Sequence, residues 1–238
     1  MKIVGLTGGI GTGKSTVSLW LSRQRGVEVV DVDEVVRDLQ RPRTSVVKKI
    51  GVVFPGVVDA QGALDREALG ARIFGDDVER RKLNKVMRWP IQRALFEAIA
   101  SRWRRGADVL VIDAPLLFET KLDALCALTV CVVAPPETQL ERLLKRNPNL
   151  DEAAAQKRIE SQMPLPEKAD KADIVVDNSK GFDYLEDQLL SLVMPRLRKA
   201  LWLWRLNSLP GSLALAAALF VAKSILFAAF RTKDKSSS

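Results

Sequence analysis

Short apolar runs alternate with longer amphipathic stretches along most of the chain. Continuous apolar runs bounded by Gly, Pro or Asp are typical of strands buried on both faces of a sheet. They predict strands at residues 2–7, 27–31, 108–113, 128–133 and 173–177. Helical periodicity predicts helices at residues 13–24, 33–39, 66–74, 80–104, 138–146 and 151–162. Strands that alternate with helices favour the α/β class, with a parallel sheet flanked by helices.

The stretch from about residue 42 to residue 104 departs from this alternation. It contains helix-rich segments but no convincing strand pattern. We therefore predict a helical insertion between the second and third strands. The first strand begins at Lys2, which leaves no room for an N-terminal targeting peptide, and we expect none.

The C-terminal segment is almost continuously apolar. Residues 209–230 are about as many as the ~20 that a membrane-spanning helix needs. A basic segment before them, residues 195–208, contains Trp202 and Trp204 and is expected to form a helix at the membrane interface. Lys223 interrupts the run, which costs insertion about 3 kcal/mol. A membrane anchor is the prediction; a helix docked on the domain and an amphipathic helix on the surface stay open.

The distribution of charge separates this segment from the main body. The formal net charge is +8. Residues 195–238 hold eight basic side chains and one acidic side chain, so residues 1–194 are nearly neutral. Basic residues beside an apolar run indicate a membrane surface rather than DNA or RNA. We expect one folded domain over residues 1–194 on the cytosolic side of the membrane, and a short polar tail at residues 231–238.

Composition excludes several kinds of site. With 238 residues, 47% hydrophobic and 28% charged, the chain is an ordinary globular protein with room for one α/β domain. It has no histidine, which excludes an imidazole base and any metal site built on histidine ligands. Cys126 and Cys131 are too few for a disulfide framework. We interpret them as reduced core residues in a thiol-reducing compartment.

A glycine-rich loop joins the first strand to the first helix. It matches the pattern G-x-x-x-x-G-K-[ST] without a mismatch and consists of Gly8, Gly9, Ile10, Gly11, Thr12, Gly13, Lys14 and Ser15. Glycines let successive N–H groups point at phosphate oxygens, and the positive end of the following helix favours the same anion. Lys14 is placed for the β- and γ-phosphates and Ser15 for Mg²⁺. The loop therefore predicts a nucleoside triphosphate site.

Two further features narrow the chemistry. The switch GTPase class is disfavoured because no Asn-Lys-x-Asp motif occurs and Asp113 is not in a D-x-x-G motif. Asp33 lies just beyond the second strand, at the edge of a parallel sheet where ligands bind. Its carboxylate can accept a hydrogen bond from a substrate hydroxyl and align that hydroxyl with the γ-phosphate. The alternative is that Asp33 only caps the following helix.

The loop and a series of further motifs together resemble the dephospho-coenzyme A kinase family. In chain order they are residues 6–16, Asp31-Val32-Asp33, Arg37, Leu64-Asp65-Arg66, Ile73-Phe74, Leu83-Asn84, residues 113–119, residues 138–143, Arg158-Ile159, Gln162, Lys168, Ala172-Asp173 and Asp177-Asn178-Ser179. The resemblance covers about residues 1–190. The form of residues 113–119 and the apolar tail resemble the domain-containing eukaryotic type in particular.

The resemblance implies a P-loop kinase fold with a helical CoA-binding insertion at about residues 42–104 and a lid at about residues 138–165. It implies transfer of the γ-phosphoryl group of ATP, with Mg²⁺, to the ribose 3′-hydroxyl of dephospho-CoA. Asp33 would orient that hydroxyl and Lys14 would stabilise the transferring phosphoryl group. Ser15 would hold the metal, and Asp113 could hold it through water.

Four further residues are candidates for ATP binding, catalysis or acceptor binding. The resemblance includes Thr16 in the ATP-binding loop. Arg142 and Arg146 are four residues apart, hence on one face of a helix. In a lid, guanidinium groups over the phosphates lower the charge of the transition state; the alternative is a solvated basic edge. We predict a catalytic role for Arg142 and an ATP-binding role for Arg146. Arg37 matches the family beside Asp33 and is a candidate for acceptor binding.

Two positions between the second and third strands concern acceptor binding. Arg66 is expected to contact the phosphate or ribose of the acceptor, or else to pair with Asp65 or Glu67. Most relatives have His-Pro where this chain has Arg88 and Trp89, so we expect acceptor affinity to differ. Two alternative functions stay open: another P-loop small-molecule or nucleoside monophosphate kinase, and a membrane-tethered ATP-binding protein with little turnover.

Overall fold

A single parallel sheet organises the molecule. The computed structural model describes residues 1–73 and 76–197. The strands of its sheet are β1 (Lys2–Gly8), β2 (Val27–Asp31), β3 (Val109–Asp113), β4 (Leu128–Val133) and β5 (Ile174–Asp177). They lie in the order β2-β3-β1-β4-β5, and each neighbouring pair is parallel. The predicted α/β class and the five predicted strands are confirmed, each strand to within one residue at either end.

Helices cover the sheet and form the insertion. The α-helices are α1 (Lys14–Ser22), α2 (Val32–Leu39), α3 (Ser45–Val53), α4 (Arg66–Ile73), α5 (Asp77–Arg104), α6 (Pro136–Arg146), α7 (Glu152–Glu160), α8 (Leu165–Lys171) and α9 (Phe182–Gln188). A 3₁₀-helix spans Leu122–Leu125, and a π-helical turn spans Leu189–Val193 after α9. The predicted helices are present with slightly different ends. Pattern reasoning did not identify α3, α8 or α9.

Apolar side chains pack on both faces of the sheet. On one face, Val4 and Leu6 of β1 pack with Leu21 of α1 and Leu189 of the π-helical turn. On the other face, buried residues of β2 and β3 pack against α5. Because β1 lies at the centre of the sheet, the loop that follows it is held between two well-packed layers.

The helical insertion has a core of its own. Its buried members come from α3, α4, α5 and the loop after α3: Val46, Ile50, Phe54, Val57, Leu69 and Met87. Side chains of α2, among them Val36 and Leu39, pack against this cluster. The helix that carries Asp33 therefore joins the insertion to the sheet.

The predicted C-terminal elements lie outside the described residues. These are most of the basic segment 195–208, the apolar segment 209–230 and the polar tail 231–238. Within residues 1–73 and 76–197, no helix is both long and apolar enough to cross a bilayer.

The two cysteines are free thiols. Cys131 lies within β4 and is buried, and Cys126 is partly buried before that strand. Burial raises the pKa of the Cys126 thiol to about 12 and that of the Cys131 thiol to about 11. Both stay protonated near neutral pH, as unreactive core thiols do.

Candidate active site

The glycine-rich loop of residues 8–15, hereafter the P-loop, turns sharply between β1 and α1. Gly11 and Gly13 have φ angles of 77° and 85°, in the left-handed region that favours glycine. A Cβ on Gly11 would lie 2.4 Å from the carbonyl oxygen of Gln139, and one on Gly13 would lie 2.1 Å from Asn178 Nδ2. These two glycines are therefore required both for the backbone conformation and for the close approach of neighbouring elements.

Three strand ends bring charged groups together beside the P-loop. Asp113 ends β3, and the ladder pairs it with Leu6 of β1 on one side and with Asp31 of β2 on the other. Lys14, the first residue of α1, donates a hydrogen bond from Nζ to the buried carboxylate of Asp113. Ser15, Asp31 and Asp113 share the lining of one cleft of about 340 Å³. The predicted lysine, metal-site hydroxyl and metal-site carboxylate are thus neighbours.

The cap of α2 is Asp31, not Asp33. The Asp31 carboxylate accepts hydrogen bonds from the N–H groups of Asp33 (2.8 Å) and Glu34 (3.1 Å). The alternative that Asp33 caps the helix is therefore wrong, because α2 begins at Val32 and places Asp33 within its first turn. The side chain of Asp33 is exposed and does not fill the capping position.

The electrostatic surroundings of Asp33 favour its protonated form. Although Asp33 is exposed, desolvation by the surrounding protein is the largest cause that raises the pKa of this carboxyl above its usual value, and the neighbouring charges of Asp31 and Asp113 raise it further. Lys14 and Arg37 act in the opposite direction. A carboxyl group that is easier to protonate than usual is suited to accept a proton from a hydroxyl group.

The two arginines predicted for acceptor binding lie in different places. Arg37 is on α2, one turn after Asp33, and its guanidinium lies 3.7 Å from the Asp31 carboxylate. Arg66 begins α4 and is exposed in the insertion. The structure brings Arg37 close to the site, and the roles of both residues stay predictions.

The arginines of α6 also differ. Arg142 reaches the P-loop and donates from Nη1 to the Gly11 carbonyl (3.3 Å) and from Nη2 to the Asn178 carbonyl (3.2 Å). Arg146 is exposed in the last turn of the helix. Spacing on one helical face therefore did not give the two side chains the same environment.

Sequence reasoning assigned no role to two polar residues at the site. Asn178, after β5, donates from Nδ2 to the Thr12 carbonyl at 2.8 Å. Lys168 of α8 is fully buried and donates from Nζ to the Pro115 carbonyl at 2.6 Å. Both belong to motifs that carry the family resemblance, but only the fold reveals that they contact the P-loop and the segment after β3.

The donor set fits a magnesium ion. Within the part of the chain that the structure describes, no group of three or more acidic, cysteine or histidine side chains converges on one point. The shared cleft instead offers the Ser15 hydroxyl with the Asp113 carboxylate. Mg²⁺ is commonly held by one or two carboxylates together with water and nucleotide phosphates, and this set matches that requirement.

Comparison with known proteins identifies the family. The family model described as dephospho-CoA kinase matches residues 2–183. A dephospho-CoA kinase of Arabidopsis thaliana is 38% identical over 226 residues, covering 94% of this chain and 97% of that protein. One of Anaeromyxobacter dehalogenans is 42% identical over 180 residues, covering 75% and 84% of the two chains.

Solved structures agree in fold. A Thermus thermophilus crystal structure superposes with a TM-score of 0.71 at 31% identity, covering 82% of this chain and 97% of the other. The dephospho-CoA kinase from Campylobacter jejuni superposes with a TM-score of 0.54 at 20% identity, covering 82% and 97%, which concerns the fold alone. With the P-loop, the aspartates at the carboxyl ends of β2 and β3, and these matches taken together, the chain belongs to the dephospho-CoA kinase family.

Proposed function

We infer that the protein is a dephospho-CoA kinase, which transfers the γ-phosphoryl group of ATP to the ribose 3′-hydroxyl of dephospho-CoA. A bond forms between the 3′-oxygen and the γ-phosphorus, the bond from that phosphorus to the β,γ-bridging oxygen breaks, and ADP and CoA result. The observation that carries this inference is the Lys14–Asp113 ion pair at the strand end that lies beside Asp31, the residue from which α2 begins and carries Asp33 in its first turn, in a chain of this family.

The P-loop and Lys14 would bind the phosphates. The Asp113 carboxylate holds Lys14 Nζ at the end of β3, beside the P-loop. Phosphate oxygens of ATP would bind that ammonium group, which would stabilise negative charge on the transferring phosphoryl group. Arg142, already hydrogen-bonded to the Gly11 carbonyl, would support the same loop from α6.

Asp33 would orient the acceptor hydroxyl. Asp31 fixes the first turn of α2 through two backbone hydrogen bonds, so the Asp33 carboxylate projects from a rigid element. A positioned carboxylate that accepts the hydrogen bond of an attacking hydroxyl aligns it and receives its proton. The raised pKa of Asp33 increases its tendency to take that proton.

Ser15 and Asp113 would hold Mg²⁺ together with the nucleotide. When bound, the ion supplies positive charge that neutralises the phosphate oxygens. The described residues provide the hydroxyl and the carboxylate on neighbouring elements, α1 and β3.

The insertion would bind the acceptor. A groove of about 690 Å³ runs between α3 and α5, and four of its lining residues are Lys48, Lys49, Lys82 and Lys85. Trp89 also lines this groove and is 65% exposed. A groove with an apolar floor and ammonium groups suits a ligand that carries a diphosphate on an uncharged arm.

One assay tests the proposed function against its alternatives. The full chain with Mg-ATP is offered dephospho-CoA, AMP, CMP and pantothenate in parallel. Formation of CoA, with little transfer to the other acceptors, is the expected result. Preferential phosphorylation of another acceptor would identify a different small-molecule kinase. ATP binding without transfer to any acceptor would identify a tethered nucleotide-binding protein.

We also propose that residues 209–230 anchor the protein to a membrane with the kinase domain in the cytosol. The support is the length of the apolar run and its basic, tryptophan-containing flank. The match to the Arabidopsis thaliana relative covers 94% of a chain of 238 residues. It therefore includes part of the segment after residue 197.

A further inference from the structure

Asn178 connects the far edge of the sheet to the P-loop. It follows β5 and is 7% exposed. Its backbone N–H donates to the Val133 carbonyl at the end of β4 at 2.8 Å, which fixes its position relative to the sheet. Its side-chain amide donates to the Thr12 carbonyl, also at 2.8 Å, across 166 positions of sequence. A buried hydrogen bond of this kind ties one peptide unit of the P-loop to a rigid strand end.

The orientation of that peptide unit matters for phosphate binding. The described residues contain no cis peptide bond, and in a trans peptide the C=O and N–H groups point in opposite directions. When Asn178 holds the Thr12 carbonyl on its own side, the Gly13 N–H points to the other side. The Gly13 N–H is among the amides of a P-loop that cradle phosphates.

The contact is close enough to determine the loop conformation. The amide nitrogen of Asn178 lies where a Cβ of Gly13 would be only 2.1 Å away, and Gly13 has a φ of 85°. Arg142 adds a second connection, because it bridges the carbonyl oxygens of Gly11 and Asn178. Two consecutive carbonyl groups of the P-loop, those of Gly11 and Thr12, are thus held by side chains of other elements.

We propose that Asn178 is a positioning residue that holds the P-loop in its phosphate-binding conformation before ATP arrives. The amide does not touch the nucleotide; it acts through the Thr12–Gly13 peptide. A glycine-rich loop without this restraint would sample many conformations, and nucleotide binding would have to order it. This inference rests on the proposed function only in taking the P-loop as the ATP site.

The experiment compares two asparagines in the full chain. Asn178→Asp replaces the donating amide by a carboxylate that faces the Thr12 carbonyl. Asn147→Asp is the matched control, since Asn147 Nδ2 donates in the same way to the Leu143 carbonyl at 3.0 Å, at the end of α6. The dissociation constant of ATP is measured directly, and KM is measured for ATP and for dephospho-CoA.

Asn178→Asp is expected to weaken ATP binding at least ~10-fold, as loss of a buried hydrogen bond and an added repulsion imply. KM of Asn178→Asp for dephospho-CoA is expected to stay within about 2-fold of the wild-type value. All three constants of Asn147→Asp are expected to do the same, since that substitution leaves the hydrogen bonds of Asn178 and Arg142 to the P-loop unchanged. Such a split between the two substrates is not what a general loss of stability would produce.

Two results would overturn the proposal: ATP affinity of Asn178→Asp equal to that of Asn147→Asp, or equal weakening of both substrates with a lowered Tm. If Asn178→Asp fails to fold, Asn178→Ala decides by the same criteria, because it removes the donor without adding a charge. A wild-type protein that binds ATP but does not phosphorylate dephospho-CoA would contradict the proposed function alone. The ATP dissociation constants of the variants would still test the role of Asn178.

Discussion

Asp31 and Asp33 have different environments although only one residue separates them. Asp31 ends β2, and its carboxylate is occupied by two N–H groups of α2. Asp33 lies within the helix, exposed toward the edge of the sheet where the P-loop begins. The capping hydrogen bonds of the first aspartate therefore determine where the second one points.

Asp33→Asn should reduce turnover at least ~100-fold, the low end for a positioned acid–base group, while ATP binding changes little. The thermal stability of this variant, in contrast to its turnover, should increase. Because folding raises the pKa of Asp33, its contribution to stability is present below its ordinary pKa and is lost as pH rises through the folded value. Removing the carboxylate should therefore raise Tm at neutral pH. Turnover, ATP dissociation constant and Tm are the measurements.

The control for this variant is Asp38→Asn on the same helix. Asp38 pairs with Arg41 on the surface, and exposed pairs of this kind contribute little. Turnover of this variant should equal that of the wild type. Retention of turnover by Asp33→Asn would show that Asp33 does not orient the hydroxyl.

Asp31→Asn should shift the acid limb of the kcat/KM profile to lower pH. Asparagine caps helices as well as aspartate does, but it removes one of the charges that raise the pKa of Asp33. It also releases Arg37 from its ion pair, and Arg37, like Lys14, lowers that pKa. Asp113, which raises it, is unchanged. The measurement is kcat/KM for dephospho-CoA against pH; an acid limb that stays in place or moves upward contradicts the assignment.

At the scale of elements, α8 is tied to the segment that follows β3. Lys168 is fully buried, and its Nζ lies 3.0 Å from Glu119 Oε1 as well as contacting the Pro115 carbonyl. The same Glu119 oxygen accepts a hydrogen bond from the Met163 N–H just before α8. Thr7 of β1 donates to the Pro115 carbonyl too. These bonds connect the predicted lid region to the strands that carry the P-loop and Asp113.

Lys168→Met should lower the free energy of unfolding by about 3–5 kcal/mol, because it leaves Glu119 and the Pro115 carbonyl without their buried partner. Lys171→Met is the control, since Lys171 is half exposed and pairs with Glu167 one turn away in the same helix. Its effect should not exceed about 0.5 kcal/mol. Urea denaturation followed by circular dichroism measures both. Equal effects of the two substitutions would mean that the buried pair does not fasten α8.

The sequence predicted the strands more completely than the helices, because burial on both faces of the sheet determines the pattern of a strand. A strand at the centre of a parallel sheet must be apolar on both faces, so its sequence is a continuous apolar run. The helix α3 has valine, isoleucine and glycine, which are weak helix formers, and its pattern was not identified. It is stabilised by the Thr44 cap and by packing of Val46 and Ile50 in the insertion core. Tertiary contacts therefore override its weak intrinsic propensity.

At the scale of the whole molecule, the active site and the end of the described chain lie at opposite edges of the sheet. The P-loop and the aspartates lie at the carboxyl ends of the strands. The described chain ends near the amino ends, where Lys2 of β1 donates from Nζ to the Arg196 carbonyl at 3.0 Å. The described chain therefore ends on the side of the sheet away from the P-loop and the aspartates.

The full chain is expected to stay in the pellet when membranes are extracted with alkaline carbonate, because an apolar run of this length resists extraction when it spans the bilayer. A chain that ends at residue 208 should be released into the supernatant while keeping kinase activity. Release of the full chain would rule out a spanning anchor. The lysine within the run can be tested separately: Lys223→Leu should increase retention, since a cation in the bilayer centre opposes insertion.

The sequence by itself determined the fold class, the P-loop and the family. These depend on local signals: apolar runs that identify buried strands, glycines and a lysine at fixed spacing, and motifs in a fixed order. It also predicted that Asp33 lies at the ligand-binding edge, because it follows directly after a strand; its position after β2 is confirmed, and its role in catalysis stays a prediction. The position of Asp113 between Leu6 of β1 and Asp31 of β2 follows from the strand order, which local patterns do not specify.

Only the tertiary structure decided which side chains hold the site in place. The cap on α2 belongs to Asp31 because the helix begins one residue earlier than the pattern indicated. The contacts of Asn178 with Thr12 and of Lys168 with Pro115 join residues far apart in sequence. Such partners are set by how helices and strand ends pack, and a side-chain amide or ammonium group looks the same in sequence whether it faces water or a buried carbonyl.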